Sequence, residues 1–318
     1  MLINILLAFF FDILIGDPVF LFHPVRLVGF MLTSYEKLFY RLRFKIIGGL
    51  LLVLSALLTV FFVIYILDYI KQFLYLPFSI NVVSILLIYF IFCSRDMTKE
   101  ARSVYTNLRE GNLEKARASV SRIVGRDTNT LDEKGIIRAA VESLAENVVD
   151  GFTAPLFYLI IGGIPLAYVY KTVNTIDSLF GYRNRKYERF GKIGARIDDI
   201  LNYIPARLNS FFILCASQFK KDVFMCMKVY GRKHPSPNSG ISEAGFSGFL
   251  GLSLGGDSIY EGEQKMKPWI GVNRLSPREL EDPLIILKAV SFYWRVVCIT
   301  LIAFLIALYL LNLPIIFK

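Results

Sequence analysis

Apolar and polar positions along this chain fall into long blocks. Residues 46–67, 76–93 and 296–317 carry no charge. Each block is close to the ~20 residues that a helix needs to cross hydrocarbon. The first two, joined by a short polar link at 68–75, predict a transmembrane hairpin over 46–93; the third predicts a terminal transmembrane helix. Residues 2–15 are apolar but short and interrupted by Asp12, which predicts a partial or re-entrant element. They lack a basic flank and a small-residue cleavage site, which argues against a signal peptide. Residues 152–170 are uncharged but contain Pro155, Gly162-Gly163 and Pro165. Such a broken run is tolerated at membrane depth only where protein or a cavity surrounds it. Residues 208–217 are apolar and too short to span.

Residues 94–151 have a different pattern. Met97, Ala101, Val104, Tyr105 and Leu108 repeat at helical spacing, and Gly111-Asn112 ends that helix. A second helix follows, and Thr130 with Glu133 reads as a capping box starting a third. In the third, Arg138, Glu142, Glu146 and Asp150 are spaced by four and form one stripe, with Asn147 beside it. Ile137, Val141, Leu144 and Val148 form an adjacent apolar face. Like charges at this spacing repel, so a cation is expected among them. A hard ion such as Mg²⁺, which takes carboxylate and phosphate oxygens, would suit. A solvated helix face neutralised by Arg138 is the other reading of the spacing. The pattern as a whole predicts an all-α, polytopic integral membrane protein with amphipathic cytoplasmic helices and re-entrant or broken apolar segments. It is read as a single membrane-embedded domain over 1–318, with motif loops and re-entrant segments across 152–294.

Composition sharpens this picture. Of 318 residues, 55% are hydrophobic and 19% charged, which is too apolar for an ordinary soluble domain. The net charge of +10 suits loops near anionic lipid and anionic substrates. No nucleic-acid motif or concentrated basic block accompanies it, so nucleic acid is not an expected partner. The four cysteines are scattered without C-x-x-C, and two histidines leave little room for His₂ or His₃ metal chemistry. Neither a phosphate-binding G-x-x-x-x-G-K-[ST] nor G-x-G-x-x-G occurs.

Polar motifs punctuate the apolar blocks. The stretch G-D-P-V-F-L-F-H-P-V-R-L-V-G, residues 16–29, places Asp17, His23 and Arg26 in a turn at a membrane edge. After Lys171, Asn174 and Asp177 share a face, and Asp198, Asp199 and Asn202 form a second acidic group. Seven Lys and Arg, Arg183 among them, lie between 171 and 200. Residues 233–240, K-H-P-S-P-N-S-G, are stiffened by two prolines, and Gly240 permits a tight exit. Ser236, Asn238, Ser239 and backbone amides there could cradle a phosphate beside Lys233 and His234; a plain rigid turn is the alternative.

Taken in order, G-D-P…H-P-V-R-L-V-G, E-S-L-A-E-N-V-V-D-G-F-T-A-P-L-F-Y, Y-K-T-V-N-T-I-D-S-L-F-G-Y, R-I-D-D-I-L-N-Y-I-P-A-R-L and K-H-P-S-P-N-S-G resemble one family closely. It is the adenosylcobinamide-phosphate synthase family of cobalamin biosynthesis, called CobD or CbiB. The likeness runs from about residue 12 to about residue 256. The resemblance implies an integral membrane enzyme, an acid–amine ligase. It would join adenosylcobyric acid, a corrinoid, to 1-amino-2-propanol O-phosphate or a similar amino-alcohol phosphate at the expense of ATP.

That chemistry assigns expected roles. A carboxylate is activated by ATP as an acyl phosphate, which the amine attacks. Such transfer relies on metal and cationic clamps. Glu142, Glu146 and Asp150 are the expected Mg²⁺ ligands, and Asn147 would orient a substrate oxygen. Lys171, Arg183, Arg207, Lys233 and His234 are candidate phosphate clamps. Asp177 or Asp198 would take the amine proton. Asp17, His23, Arg26, Asn174, Asn202, Ser236, Asn238 and Ser239 complete the candidate binding set. Residues 16–45 and 94–151 hold five and ten Lys and Arg against one at 68–75, which places both in the cytoplasm. A re-entrant turn at 162–165 keeps the loops holding Asp150, Asp177 and His234 on that face of the cell membrane. Other membrane-associated enzymes of corrinoid assembly, and a second copy of this chain, stay open as partners. A membrane transporter and a non-catalytic sensor on the same scaffold are the competing classes. Three full spans are few for the former, and retention of all five motifs argues against the latter.

Overall fold

The computed structural model describes residues 1–18, 23–71, 81–181, 184–260 and 263–310, with the side chains of 68, 70, 71, 258–260 and 263–265 left aside. The chain gathers into two compact units, each assembled from segments distant in sequence. The first comprises Met1–Arg95, Ala154–Asn202 and Phe304–Lys318; the second comprises Asp96–Thr153 and Tyr203–Ala303.

The first unit is helical. Helices α1 (Leu2–Ile15), α2 (Pro24–Phe39), α3 (Lys45–Lys71) and α4 (Val82–Tyr89) open the chain. Proline at the first turn of α2 suits its missing N–H. Leu32 of α2 and Leu52, Val53 and Ala56 of α3 bury against Ile176, Phe180 and Phe190. On its other side α3 exposes Leu54, Leu58, Phe61 and Phe62. That surface is stable next to lipid and costly in water. The first arm of the expected hairpin over 46–93 is this long apolar helix. Of the second arm, residues 76–80 lie outside the described residues; over 81–93 the chain forms the eight-residue α4, and Phe90, Ile91 and Phe92 after it are buried in protein. An uncharged run serves a protein core as readily as a bilayer. The first half of the expected link, 68–71, continues α3, and 72–75 lie outside the described residues.

The broken run behaves as its glycines predict. Helix α8 (Ala154–Phe180) is interrupted at Gly162 and Gly163. Gly163 has φ 66 and ψ −164, a region essentially reserved for glycine. Residues twelve apart in one straight helix stand ~18 Å apart. Yet the rings of Tyr158 and Tyr170, on opposite sides of the break, stack at 5.1 Å. The two arms thus fold back on each other as a helical hairpin. The Tyr158 hydroxyl donates to Leu201 O (2.7 Å) and that of Tyr168 to Leu87 O (3.0 Å), tying both arms to the unit.

The second unit is built around helix α7 (Glu133–Val148), whose Ile136, Ile137, Ala140, Val141 and Leu144 are fully buried. Helices α5 (Ser94–Arg109) and α6 (Leu113–Val120) precede it. Met97, Ala101, Val104 and Leu108 are buried, as their spacing predicts. The cap of α7 is Asp132, whose carboxylate accepts from Gly135 N at 2.7 Å. The expected cap, Thr130, stands two residues too early; both types cap well, and position decides. After Val148 the chain makes a π turn, Val149–Thr153. After α9 (Lys192–Leu201) of the first unit, α10 (Tyr203–Ala216), α11 (Lys221–Tyr230) and α12 (Ser239–Leu250) follow. Both α10 and α12 pack in this second unit, α12 directly on α7. Two small antiparallel ladders were not evident from periodicity: β1 (Leu254–Gly255) with β4 (Trp269–Ile270), and β2 (Ser258–Tyr260) with β3 (Glu263–Lys265). Strands this short carry too few residues to show a period.

Helix α13 (Leu284–Leu310) begins twelve residues before the expected start at 296, because Lys288 and Arg295 are accommodated inside it. Among the described residues three helical stretches are long and apolar enough to cross a membrane: Lys45–Leu67, Glu133–Phe180 and Leu284–Leu310. The protein is an all-α membrane protein.

Candidate functional site

The acidic stripe on α7 is not a solvated face. Glu142 is 9% exposed. One of its oxygens accepts from the Arg126 guanidinium and the other from Gly255 N, at 2.6 Å. Arg126 itself is nearly buried, so the two ions hold each other where water cannot. Arg138, one turn earlier, lies over the Trp269 ring at 4.7 Å. Asn147 donates to Ser143 O at 3.0 Å, and Ser143 donates to Ile123 O. Asp150 falls in the π turn, where the spacing of four no longer keeps it on the stripe. Of the three carboxylates, Glu142 and Asp150 both stay near enough to Glu146 to act on it through their charge, while the oxygens of Glu142 are already held by Arg126 and Gly255.

One of them, Glu146, meets different partners. A carboxylate oxygen of Glu146, one of Glu243 and a ring nitrogen of His234 all lie within 4.8 Å of one another. Glu243 is 3% exposed, on the first turns of α12. The Lys267 ammonium lies close enough to act on all three. Burial, then the carboxylates of Glu146 and Glu142, push the Glu243 carboxyl well above the usual range, against the pull of Lys267. Burial and the Lys267 charge lower His234 to about 4, so its imidazole is neutral at neutral pH.

The proline loop sets the His234 ring. Its Nδ1 accepts from Ser236 N at 3.0 Å and faces Ser236 O at 3.4 Å, while Nε2 lies 3.5 Å from Glu243 Oε1. A Cβ on Gly240 would meet that of His234 at 2.5 Å, so only glycine lets α12 start this close. Arg207 of α10 ties the loop down. It donates to Asn238 Oδ1, to Pro237 O at 3.2 Å and to Tyr203 O at 3.1 Å, and its guanidinium stacks on Tyr203 at 3.7 Å. Thr153 donates to Asn209 Oδ1 (3.0 Å), and Asn209 donates to Ser242 Oγ (3.3 Å), joining the π turn to α10 and α12. Lys233 is exposed, its ammonium over the Tyr230 ring; Ser236 Oγ accepts from Asn238 N, and Ser239 opens α12.

The remaining candidates lie in the first unit. Asp198 accepts from Asn174 (3.4 Å) and Asn202 (3.0 Å), and Asn202 Oδ1 accepts from Tyr170 (3.0 Å), forming one buried polar network. Lys171 and Asp177 lie half-buried on α8. His23, 5% exposed, stands 3.2 Å from Asp17, and Arg26 is exposed on α2. Arg183 lies outside the described residues. Sequence reasoning passed over Arg126, Glu243 and Lys267. Glu243 did leave a signal: it is the single charged residue of α12, whose other residues are small or apolar.

Fold and cluster define a class: an all-α membrane protein in which two motif residues, Glu146 and His234, meet Glu243 and Lys267. More particularly, the chain belongs to the CobD/Cbib protein family, whose model matches residues 5–290. A cobalamin biosynthesis protein CobD of Leptospira interrogans is 42% identical over 281 residues, covering 84% of this chain and 86% of the relative. One from Clostridium perfringens is 41% identical over 280 residues, covering 85% and 87%. One from Halalkalibacterium halodurans is 36% identical over 317 residues, covering 98% and 96%. No solved structure matches. The family is one of cobalamin biosynthesis.

Proposed function

We propose that the protein is an ATP-dependent acid–amine ligase that joins adenosylcobyric acid to an amino-alcohol phosphate, 1-amino-2-propanol O-phosphate or a close analogue. The product is adenosylcobinamide phosphate. The observation that carries this reading is the meeting of Glu146, Glu243, His234 and Lys267 in a chain of this family. Phosphoryl transfer needs carboxylates for a metal ion and a cation for phosphate oxygens, and little else from the protein. Glu146 and Glu243 offer hard oxygen donors that would hold Mg²⁺, and such an ion would supply positive charge against the substrates' phosphate. Lys267 and Lys233 supply ammonium groups for the anionic substrates. Arg207 holds the proline loop, so its part is to place His234 rather than to bind phosphate.

A carboxylate oxygen of the corrinoid attacks the γ-phosphorus of ATP and ADP leaves. The amine then attacks the acyl carbon, phosphate departs, and the amine gives up a proton. The active site faces the cytoplasm, where ATP is available, and the chain crosses the cell membrane more than once.

The test uses purified full-length protein in detergent with ATP, Mg²⁺, the amine and adenosylcobyric acid bearing ¹⁸O in its free carboxylate. Amide product with one ¹⁸O in inorganic phosphate is expected. Label in AMP would replace the acyl phosphate by an acyl adenylate, and absence of ATP-dependent product would overturn the ligase reading.

A further inference from the structure

We infer that Glu146, His234 and Glu243 form a mixed nitrogen–oxygen site for a divalent first-row cation, which takes Mn²⁺ in preference to Mg²⁺. The inference deepens the proposed function and takes its catalytic meaning from it, while cation binding is read without turnover.

Three observations lead there. First, the donors come from three separate places: α7, the proline loop and α12. They converge within 4.8 Å, whereas the oxygens of Glu142 are already given to Arg126 and Gly255. Metal–ligand bonds of about 2.1 Å keep two donors of one ion within about 4 Å, so side-chain rotation of about an ångström closes the set. Second, the imidazole is prepared for ligation. A ligating histidine donates its other N–H to a carbonyl or carboxylate. Here Nδ1 faces Ser236 O at 3.4 Å, and Ser236 N at 3.0 Å. While Nδ1 accepts from Ser236 N, the ring proton sits on Nε2; a cation taking the Nε2 lone pair moves that proton to Nδ1, where Ser236 O stands ready to accept it. Third, the loop is pinned by Arg207 and closed over Gly240, so the nitrogen is held in place before any ion arrives.

The donor set selects the ion. Carboxylates suit Mg²⁺, Ca²⁺ and Mn²⁺, and imidazole favours transition metals, so one nitrogen with two carboxylates favours Mn²⁺ over Mg²⁺. The Lys267 ammonium faces the same carboxylates and therefore competes with the cation. On binding, the ammonium is released toward whatever anion the cation brings.

The experiment titrates Mn²⁺ into the detergent-solubilised full chain, without ATP, and follows free and bound ion by electron paramagnetic resonance. One bound ion is expected, with spin-echo modulation from an imidazole nitrogen. Glu243→Gln and His234→Gln should each weaken binding at least ~10-fold, and His234→Gln should erase the nitrogen signal. Lys267→Met should tighten binding. Circular dichroism confirms that each variant is folded. Mn²⁺ binding that survives both glutamine variants overturns the site. Wild-type Mn²⁺ binding without ATP-dependent ligation would overturn the ligase reading and leave the site standing.

Discussion

At the scale of single residues, two arginines do work that their charge alone does not reveal. Arg126 is locked to Glu142 with little exposure on either side. Removing one partner of such a pair strands the other ion away from water, at a cost of ~3–5 kcal/mol. Arg126→Ala should therefore lower the thermal midpoint sharply in detergent, and Arg126→Met with Glu142→Gln should recover most of the loss. Equal destabilisation by single and double variants would show that the pair is not what matters. Arg207 is a strut. Lysine keeps its charge but not the stacked, forked geometry. Arg207→Lys should lower kcat about tenfold, the rate equivalent of roughly one lost charge-assisted hydrogen bond, with little change in KM for ATP or amine. A rise in KM alone, with kcat kept, would make it a phosphate clamp. Neither role could be read from the chain. Arg126 is one of ten basic residues over 94–151, and its partner lies sixteen positions away.

At the scale of elements, what was legible follows from how strongly local chemistry constrains the backbone. The buried face of α5, the break at Gly162-Gly163 and the tight start of α12 all follow from spacing or from glycine. The cluster at Glu146 was half legible. The stripe on α7 singled out Glu146, and the proline loop singled out His234. Their meeting with Glu243 depends on α12 packing on α7, which no periodicity encodes. Lys267 comes from a short-stranded segment whose pairing is equally silent in the sequence. The hairpin in α8 offers a direct test. Gly163→Ala places a Cβ in a backbone region costing of order 1–3 kcal/mol for other residues. It should lower stability by that amount and loosen the Tyr158–Tyr170 stack, seen as a change in near-ultraviolet circular dichroism. Alanine at Ile161, on the partly exposed shoulder of the same turn, should do neither; equal losses at both positions would deny Gly163 its special place.

At the scale of the whole molecule, the question is which side of the membrane the polar loops occupy. The basic residues of 171–200 and 218–294 number seven and ten, from which the positive-inside rule predicts that both segments are cytoplasmic. Asn238 is too buried to report this, but Arg185 and Arg232 are exposed. With the four native cysteines replaced, a cysteine at either position should resist an impermeant thiol reagent in intact cells and react after permeabilisation. Labelling before lysis would place that loop outside.

The π turn at Val149–Thr153 has a consequence for chain length. A π turn holds one residue more than the α turn it replaces. Thr153 Oγ1 reaches back five residues to Val148 O at 2.9 Å, spanning the widened loop. Deleting Gly151 would let the helix close up as regular α-helix. Every later side chain would then swing by about 100° around the axis. Thr153 would lose Asn209, and through it the connection to Ser242, one residue before Glu243. A single codon thus keeps the phase between the start of the apolar run and the helix that carries Glu243. The chain should tolerate substitution at Gly151 better than its removal.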